Sequence, residues 1–540
     1  MNNKVYEIDI RNIKTKQEFH ERLKEIMPLP DYYGNNLDAL YDVLTEEGDN
    51  LNLVLVWDDG RAEVPEEVQK LVQGLERMGK DIHEEYPNIK ISWIEAPVVR
   101  GLNPDGISIN GEESVEMKKY IDMSREELVK EKAKVSEEYE RLKALGLNLD
   151  ISRGKPGKEQ LDLVSDIFDV LSEDSDFMVD GNDVRNYGVM DGIRPAKELF
   201  ADILGTEPEN IFVGGNASLQ LMYDTIAKAY THGMVHSPAP WGKLDKVKWI
   251  CPVPGYDRHF AICTSFGMET INVPMTPTGP DMDMVEELVK DPEVKGMWNV
   301  PKYSNPDGIV YSRETIDRIA NLKPAAPDFI VMWDNAYCVH EFSCDYVPFP
   351  DILSACEKAG NPDMVFEFAS TSKITLPGAG VGVFATSKAN MEHMKKLLTI
   401  QTISFDKTNQ LRHALYLKNK ETTLALMKRH AEVLGPKFKS VLDALDKEIE
   451  PLGIAEWQRP KGGYFVSVNC MPGTAKETWR LCKEAGLTMT GAGATYPGGK
   501  DPEDSNLRIA PSLPMPEVLS QAMEVFCTSL KLASLNKILG

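Results

Sequence analysis

Phe366-Glu-Phe-Ala-Ser-Thr-Ser-Lys373, continued by Ile374-Thr-Leu-Pro-Gly-Ala-Gly380, decides how the rest of the chain is read. The aromatic residues and alanine predict a buried strand, the hydroxyl residues its polar end, and Pro377 to Gly380 a turn. A lysine is ordinarily a solvated surface residue. At the end of a buried strand, among small hydroxyls and apolar neighbours, it loses part of its hydration and gives up its proton more readily. A neutral amine is the nucleophile that condenses with an aldehyde. Lys373 is therefore a candidate anchor for pyridoxal phosphate (PLP). Such a site needs four further parts: a carboxylate for the pyridine nitrogen, donors for the phenolic oxygen, a cradle for the phosphate, and an arginine for the substrate carboxylate.

Each part has a candidate. Phe329-Ile-Val-Met-Trp-Asp334 is a β-rich run ending in a carboxylate, which needs a partner if buried. A protonated ring nitrogen would be one, and the pair would strengthen the ring as an electron sink. Tyr337, three residues on, can reach the same ring. Met297-Trp-Asn-Val-Pro-Lys-Tyr-Ser-Asn305-Pro306 ends another strand, and Lys248-Trp-Ile-Cys-Pro-Val-Pro-Gly-Tyr256 places an aromatic in a turn, with His259 close behind. Tyr256 could stack on a pyridine. Ile211-Phe-Val-Gly-Gly-Asn216-Ala217-Ser218 reads as strand, glycine turn and the start of an amphipathic helix, whose free N–H groups suit a phosphate. Taken singly, each has an ordinary reading: a capping Asp, a turn Asn, a core Tyr, a glycine needed for turn geometry.

Taken in order, they do not. Phosphate turn, aromatic, Asn-Pro-x-Gly, Asp-x-Ala-Tyr, Ser-x-Ser-Lys and the late Leu507-Arg508-Ile509 resemble the sequence of a fold-type I PLP-dependent aminotransferase over about 420 residues. Within that family the chain is most similar to the divergent bacterial aspartate aminotransferases, through Ser152-Arg-Gly-Lys-Pro156, Gly215-Asn-Ala-Ser-Leu-Gln-Leu-Met-Tyr-Asp224, Pro254-Gly-Tyr-Asp-Arg-His-Phe260 and Thr371-Ser-Lys-Ile-Thr-Leu-Pro-Gly-Ala-Gly380.

The resemblance implies a large α/β domain with a mostly parallel sheet at about 170–410. It also implies a small α/β domain combining about 121–169 with 411–540. Lys373 would hold the cofactor and move the substrate proton. Asp334 would bind the ring nitrogen, Asn305 and Tyr337 the phenolic oxygen, and Tyr256 the ring face. Asn216, Ala217, Ser218 and Ser370 would bind the phosphate, with Tyr187 reaching it from a second subunit, hence a homodimer. Arg508 would clamp the α-carboxylate, beside Asn305 and Gly154. One position departs from the family: the arginine expected eight residues after the lysine is Val381. The implied reaction is ping-pong transfer between aspartate and 2-oxoglutarate. A dicarboxylate needs a second cation, and Arg153, Arg185 and Arg194 are equal candidates. A PLP enzyme of another specificity or reaction type, such as a lyase, is the alternative. So is an antitoxin-like binding protein, a reading that the nearly complete residue set argues against.

Residues 1–95 form a separate acidic module, with 11 Lys and Arg against 21 Asp and Glu, a net of −10. Val5 to Ile10, Leu51 to Trp57 and Ile89 to Ile94 predict strands, and helical spacing between them predicts a compact α/β unit with a parallel sheet. The block Pro30-Asp-Tyr-Tyr-Gly-Asn-Asn-Leu-Asp-Ala-Leu-Tyr-Asp42 resembles barstar, an intracellular ribonuclease inhibitor. The resemblance implies partner binding by Tyr32, Tyr33, Gly34, Asn36, Asp38 and Asp42. Asp38 and Asp42 are one helical turn apart and share a face, so they could fill a ribonuclease phosphate site. They could equally be solvated helix residues of a solubilising tether. Residues 96–120, with repeated Pro and Gly, read as a linker, and Ser124-Arg-Glu-Glu127 as a capping box opening a charged surface helix to about Leu145.

Composition agrees with this organisation. At 540 residues the chain is long enough for about three or four units at roughly 150 residues each. A net charge of −24 argues against nucleic-acid binding. The eight cysteines are scattered from 251 onward without a Cys-x-x-Cys pair, so neither a disulfide framework nor a metal site is expected. With no apolar leader and no uncharged run of about 18 apolar residues, the expectation is a cytoplasmic protein that does not bind membranes.

Overall fold

The computed structural model describes residues 118–540 throughout and, before them, 4–9, 15–27, 51–57 and 89–95, with single positions at 40, 41, 44 and between 68 and 82. Tyr32, Tyr33, Gly34, Asn36, Asp38 and Asp42 lie outside the described residues, as does the linker up to 117. The chain divides into two compact units, Met1–Val115 and Glu116–Gly540.

In the first unit β1 (Lys4–Asp9), β2 (Leu51–Trp57) and β3 (Ile89–Glu95) form a parallel sheet in chain order. Between the first two runs α1 (Lys16–Ile26), started by Thr15, whose hydroxyl accepts from the Glu18 N–H at 3.2 Å. Phe19 and Leu23, four apart and so on one face, are fully buried. The α/β unit with a parallel sheet expected from the sequence is what forms.

The second unit opens with α2 (Arg125–Ala144). Both halves of its capping box are present: Ser124 Oγ accepts from the Glu127 N–H at 3.2 Å, and Glu127 Oε2 accepts from the Ser124 N–H at 2.7 Å. The helix is charged outside, as its sequence suggests. It also carries a buried stripe of Leu128, Val135, Tyr139 and Leu142 that joins the core with the last helix.

The main sheet has eight strands: β4 (Ile211–Val213), β5 (Lys248–Val253), β6 (Glu269–Thr276), β7 (Gly279–Pro280), β8 (Val294–Asn299), β9 (Ile330–Asp334), β10 (Val365–Ser370) and β11 (Gly382–Thr386). Their order across the sheet is β7-β6-β5-β8-β9-β10-β11-β4. The central pairs from β6 to β10 are parallel; β7 and β11 run against their neighbours. Both faces are covered. Val331 and Trp333 enter one apolar cluster while Ile330 and Met332 enter the other, which is why these strands read as unbroken apolar runs. Helices α3 (Ser218–Thr231) and α4 (Asp257–Ser265) follow β4 and β5.

A smaller lobe is built on an antiparallel sheet of β12 (Ala455–Trp457), β13 (Val466–Cys470) and β14 (Asn506–Ile509), packed with α2, α5 (Lys420–Glu448) and α6 (Pro516–Leu539). Leu149–Asp150 pairs in parallel with Leu487–Thr488, returning the early chain to this late lobe. Among the described residues, no helix is long and apolar enough to cross a membrane.

Candidate active site between the two sheets

Parallel strands end together, and their carboxyl ends carry the chemistry here. β9 delivers Asp334, 4 % exposed. Its Oδ2 is hydrogen bonded to His259 Nε2 at 3.0 Å, and its Oδ1 is buried without a partner among the described residues. His259 lies flat on Trp298, with ring centres 4.4 Å apart, and meets the ring of Tyr256 edge-on at 4.9 Å. A buried carboxylate oxygen with no donor is costly unless a cation or an N–H group reaches it.

Lys373 follows the neighbouring strand β10. Burial lowers the pKa of its amine, and Asp334 nearby works the other way. Its Nζ sits 5.0 Å from the ring centre of Tyr337 and 5.8 Å from that of Tyr464. Gln160 Nε2 donates to Tyr464 Oη at 3.0 Å and lies 3.1 Å from His430 Nδ1, and His430 Nε2 reaches the Ile374 carbonyl at 3.1 Å. Burial pushes the His430 pKa down to about 4, so the ring is neutral and can accept at Nδ1 and donate at Nε2. This chain of bonds fixes the wall against which the lysine packs.

The turn after β4 supplies the polar cradle. Ala217 at the N-cap of α3 offers no side-chain acceptor, so the first N–H groups of the helix are left for a ligand. The turn is stitched to β11 by Gly214 N–H to the Gly382 carbonyl at 2.9 Å and Gly382 N–H to the Gly215 carbonyl at 2.8 Å. Gly382 is obligatory, since a Cβ there would stand 2.8 Å from the Ala217 carbonyl carbon. Ser370, paired with Gly382 across the strands, donates to Ser372 Oγ at 3.1 Å. Val381 packs in the apolar core, 2 % exposed, with its N–H on Thr371 Oγ1. Gly380, not Val381, faces the Asn216 carbonyl. No cation comes from that segment. An open helix terminus, an unpartnered buried carboxylate oxygen and a half-buried lysine together complement a group with a phosphate at one end, a protonated ring nitrogen at the other, and an aldehyde between.

Arg508, on β14 and 6 % exposed, faces this set from the smaller lobe. Nη1 donates to Asn305 Oδ1 at 3.0 Å and Asp257 Oδ1 at 3.1 Å, and Nη2 to Thr490 Oγ1 at 3.2 Å. Nε is buried without an acceptor, and the guanidinium lies 4.7 Å from the ring centre of Phe465. Gly154 presses on that ring: a Cβ there would come within 2.4 Å of it. Thr490 in turn donates to the Ser152 carbonyl at 2.7 Å, tying Arg508 to the loop that carries Gly154. Burial first, then the charges of Asp334 and Asp257, push the Tyr256 pKa up to about 12, and burial raises that of Tyr337 as well, so both phenols stay neutral donors.

The residues singled out from the sequence therefore converge: Lys373, Asp334, Tyr256, Tyr337, Asn305 and Arg508 lie together, and Asn216, Ala217 and Ser218 form the turn beside the strand end that carries Ser370. Tyr187 is 77 % exposed. Of the three arginines left open, Arg185 pairs with Asp183 and Arg194 with Asp180, while among the described residues Arg153 has no ion-pair partner, nor has Arg258 beside Asp257. Sequence reasoning gave no role to Asp257, Thr490 or the Tyr464–Gln160–His430 chain, and noted His259 only as a neighbour of Tyr256. The spacing of Tyr256 and His259, one helical turn apart, was the available signal; Asp257 meets Arg508 across 251 residues, and Gln160 meets His430 across 270 and Tyr464 across 304.

The aspartate amino-transferase family model matches residues 123–540, and the barstar (barnase inhibitor) model matches residues 3–92. An aspartate aminotransferase of Corynebacterium glutamicum is 47 % identical over 400 residues, covering 74 % of this chain and 93 % of its own. The crystal structure of an aspartate transaminase from C. glutamicum superposes with a TM-score of 0.76 at 46 % identity, over 77 % of this chain and 98 % of that one. The α-aminoadipate aminotransferase LysN of Thermus thermophilus, complexed with N-(5'-phosphopyridoxyl)-L-leucine, shares the fold at 20 % identity and a TM-score of 0.59, over 77 % of this chain and 96 % of that one.

Proposed function

The chain belongs to the aspartate aminotransferase family, with a barstar-like domain at its N-terminus, and on that premise we propose that it is PLP-dependent and transfers the amino group of aspartate to 2-oxoglutarate. The observation that carries the cofactor is Asp334 Oδ1, buried and without a partner among the described residues, one strand away from the half-buried Lys373. When bound, PLP supplies an aldehyde for amine exchange and a ring that takes up the electron pair released at the substrate Cα.

The residues do the rest. Asp334 keeps the ring nitrogen protonated through Oδ1, while His259 holds Oδ2 and fixes the carboxylate. Tyr256 covers the ring face. The Asn305 amide and Tyr337 hydroxyl donate to the phenolic oxygen. Ser218, Ser370 and the backbone N–H groups of 216–218 hold the phosphate, with more of its charge met by the helix terminus because Gly380 and Val381 bring no cation. Lys373, with its amine pKa lowered, would be the base that takes the proton from the substrate Cα. Arg508 receives the α-carboxylate. The side-chain carboxylate falls to Arg153, beside Gly154, or Arg258, beside Asp257, neither of which has an ion-pair partner among the described residues. Amino acid enters and keto acid leaves before the second keto acid binds.

Two copies complete each site, Tyr187 of one serving the phosphate bound by the other; light scattering that finds an active monomer would refute this. The reading divides the chain at 1–95, 96–120 and 121–540, the last with a large domain at about 170–410. It places the enzyme in a reducing cytoplasm, in keeping with eight cysteines that form no disulfide. The barstar-like unit docks a basic ribonuclease through Asp38 and Asp42, and calorimetry of the full chain with such an enzyme tests it. The central test is the visible spectrum of the purified chain before and after aspartate. A cofactor band that bleaches supports the whole reading. A band indifferent to aspartate refutes the substrate, and a colourless chain after incubation with PLP refutes the cofactor.

A further inference from the structure

Arg508 and Asp257 come from opposite sides of the cleft. The arginine sits on β14 of the smaller lobe; the aspartate opens α4, directly after the strand β5 of the main sheet. Their side chains meet at 3.1 Å, the arginine 7 % and the carboxylate 35 % exposed. Around the guanidinium, Asn305 and Asp257 take Nη1, Thr490 takes Nη2, Phe465 lies against the plane, and Nε alone has no acceptor. Asp257 is the only one of these partners that carries charge.

A guanidinium binds a carboxylate best through two parallel N–H bonds from one edge. With Asp257 in place the cation already has its counter-charge, and a second carboxylate sharing it would be held close to the first. Like charges at such range oppose each other strongly in a partly dry cleft. Without Asp257, Arg508 would stand between turnovers as a buried charge with only neutral partners, a costly state.

We propose that Asp257 is an internal stand-in for the substrate α-carboxylate: it neutralises Arg508 in the free enzyme and yields the arginine when a substrate carboxylate arrives. Its exposure leaves it room to turn into solvent. The cleft then carries the same charge before and after binding. A ligand without a carboxylate has nothing with which to displace the aspartate, so the exchange contributes to selection. Asp257 acts through Arg508 and is a positioning residue. The inference rests on the reading that Arg508 receives the substrate carboxylate.

Asp257 in the first turn of α4 also favours that helix through its dipole. That role would register in thermal unfolding and would leave ligand affinity unmoved, so affinity separates the two. The experiment titrates succinate, a dicarboxylate without an amino group, into the PLP-loaded full chain by calorimetry. Asp257→Asn keeps the shape and removes the charge; Asp257→Ser is a second variant in case the first folds poorly; Asp257→Glu restores the charge. The Asn and Ser variants should bind succinate roughly two- to ten-fold more tightly than the parent, the scale of a partly exposed ion pair, and the KM for aspartate should fall by a similar factor. The Glu variant should return toward the parent. Equal or weaker succinate binding in the Asn or Ser variant overturns the proposal. A parent that binds succinate and shows this pattern without transaminating would refute the proposed reaction and leave the exchange at Arg508 standing. A parent that transaminates while the Asn variant binds no more tightly would do the reverse.

Discussion

The two ends of the cleft are built on opposite plans. At the cofactor end the protein presents open valences: an Asp334 oxygen without a donor, an α3 terminus without a side-chain cap, and a lysine amine against two aromatic rings. At the substrate end Arg508 is met on both terminal nitrogens by the protein's own oxygens. A group that stays bound can be awaited by a site that is incomplete without it. A ligand that comes and goes every turnover is better served by a site already balanced in its absence.

The first way to break this comparison is Lys373→Ala. Removing the amine should lower turnover by roughly 10⁴-fold or more, the upper range for a positioned acid–base group that is also the covalent anchor, while the far-ultraviolet spectrum stays that of the parent. Residual turnover near the parent level would refute the assignment. Asp334→Asn comes next. It keeps the shape but removes the charge opposite the ring nitrogen, and should cost roughly 10- to 100-fold in kcat, the scale of a charged buried hydrogen bond. At the other end, Arg508→Lys should raise KM by roughly ten-fold with a smaller change in kcat, because the ammonium cannot make the fork. If Asp334→Asn moved only KM and Arg508→Lys only kcat, the two ends would have been read the wrong way round.

A third carboxyl sharpens the contrast. Glu367 on β10, paired with Trp333 beside Asp334, is 3 % exposed. Asn335 Nδ2 donates to its Oε1 at 2.8 Å and Oε2 has no partner. Its side chain lies among the apolar residues of the opposite face, and burial pushes its pKa up to about 8. An acid raised in the folded state binds more protons there than in the unfolded chain. Its contribution is therefore full below about pH 4.5 and is lost as pH rises through 8. Glu367→Gln should remove that slope and hold on the order of 4 kcal/mol of stability that the parent loses between pH 5 and pH 8.5. Parallel denaturant melts at the two pH values would reveal it, and an unchanged slope would refute it. Where Asp334 waits for a cation, Glu367 has none to wait for and stays neutral.

Much of this was legible in the sequence wherever the signal is local. The apolar runs at 330–334 and 365–370 announced strands because both their faces are covered, and Ser124 to Glu127 announced a helix start because both capping bonds lie within one turn. Lys373, Asp334 and the turn at 214–218 were legible because each ends a strand of this kind. What the sequence could not convey is pairing at a distance. Arg508 meets Asp257, and Thr490 meets Ser152, through folding alone. The reversal of β11, which swings Val381 into the core and sets Gly380 against the phosphate turn, follows from sheet register rather than from residue counting.

That same register has a temporal side. β4 carries the phosphate turn, yet its sole neighbour in the sheet is β11, with Val213 opposite Val383. During synthesis the turn emerges about 170 residues before the strand that will hold it. At roughly 5–20 residues per second the ribosome needs on the order of 10–30 s to close that gap. Through that interval the nascent chain has the turn and no sheet edge on which to mount it. On the proposed reading cofactor capture is a late event, and it would report that the farthest-separated strands of the main sheet have found each other.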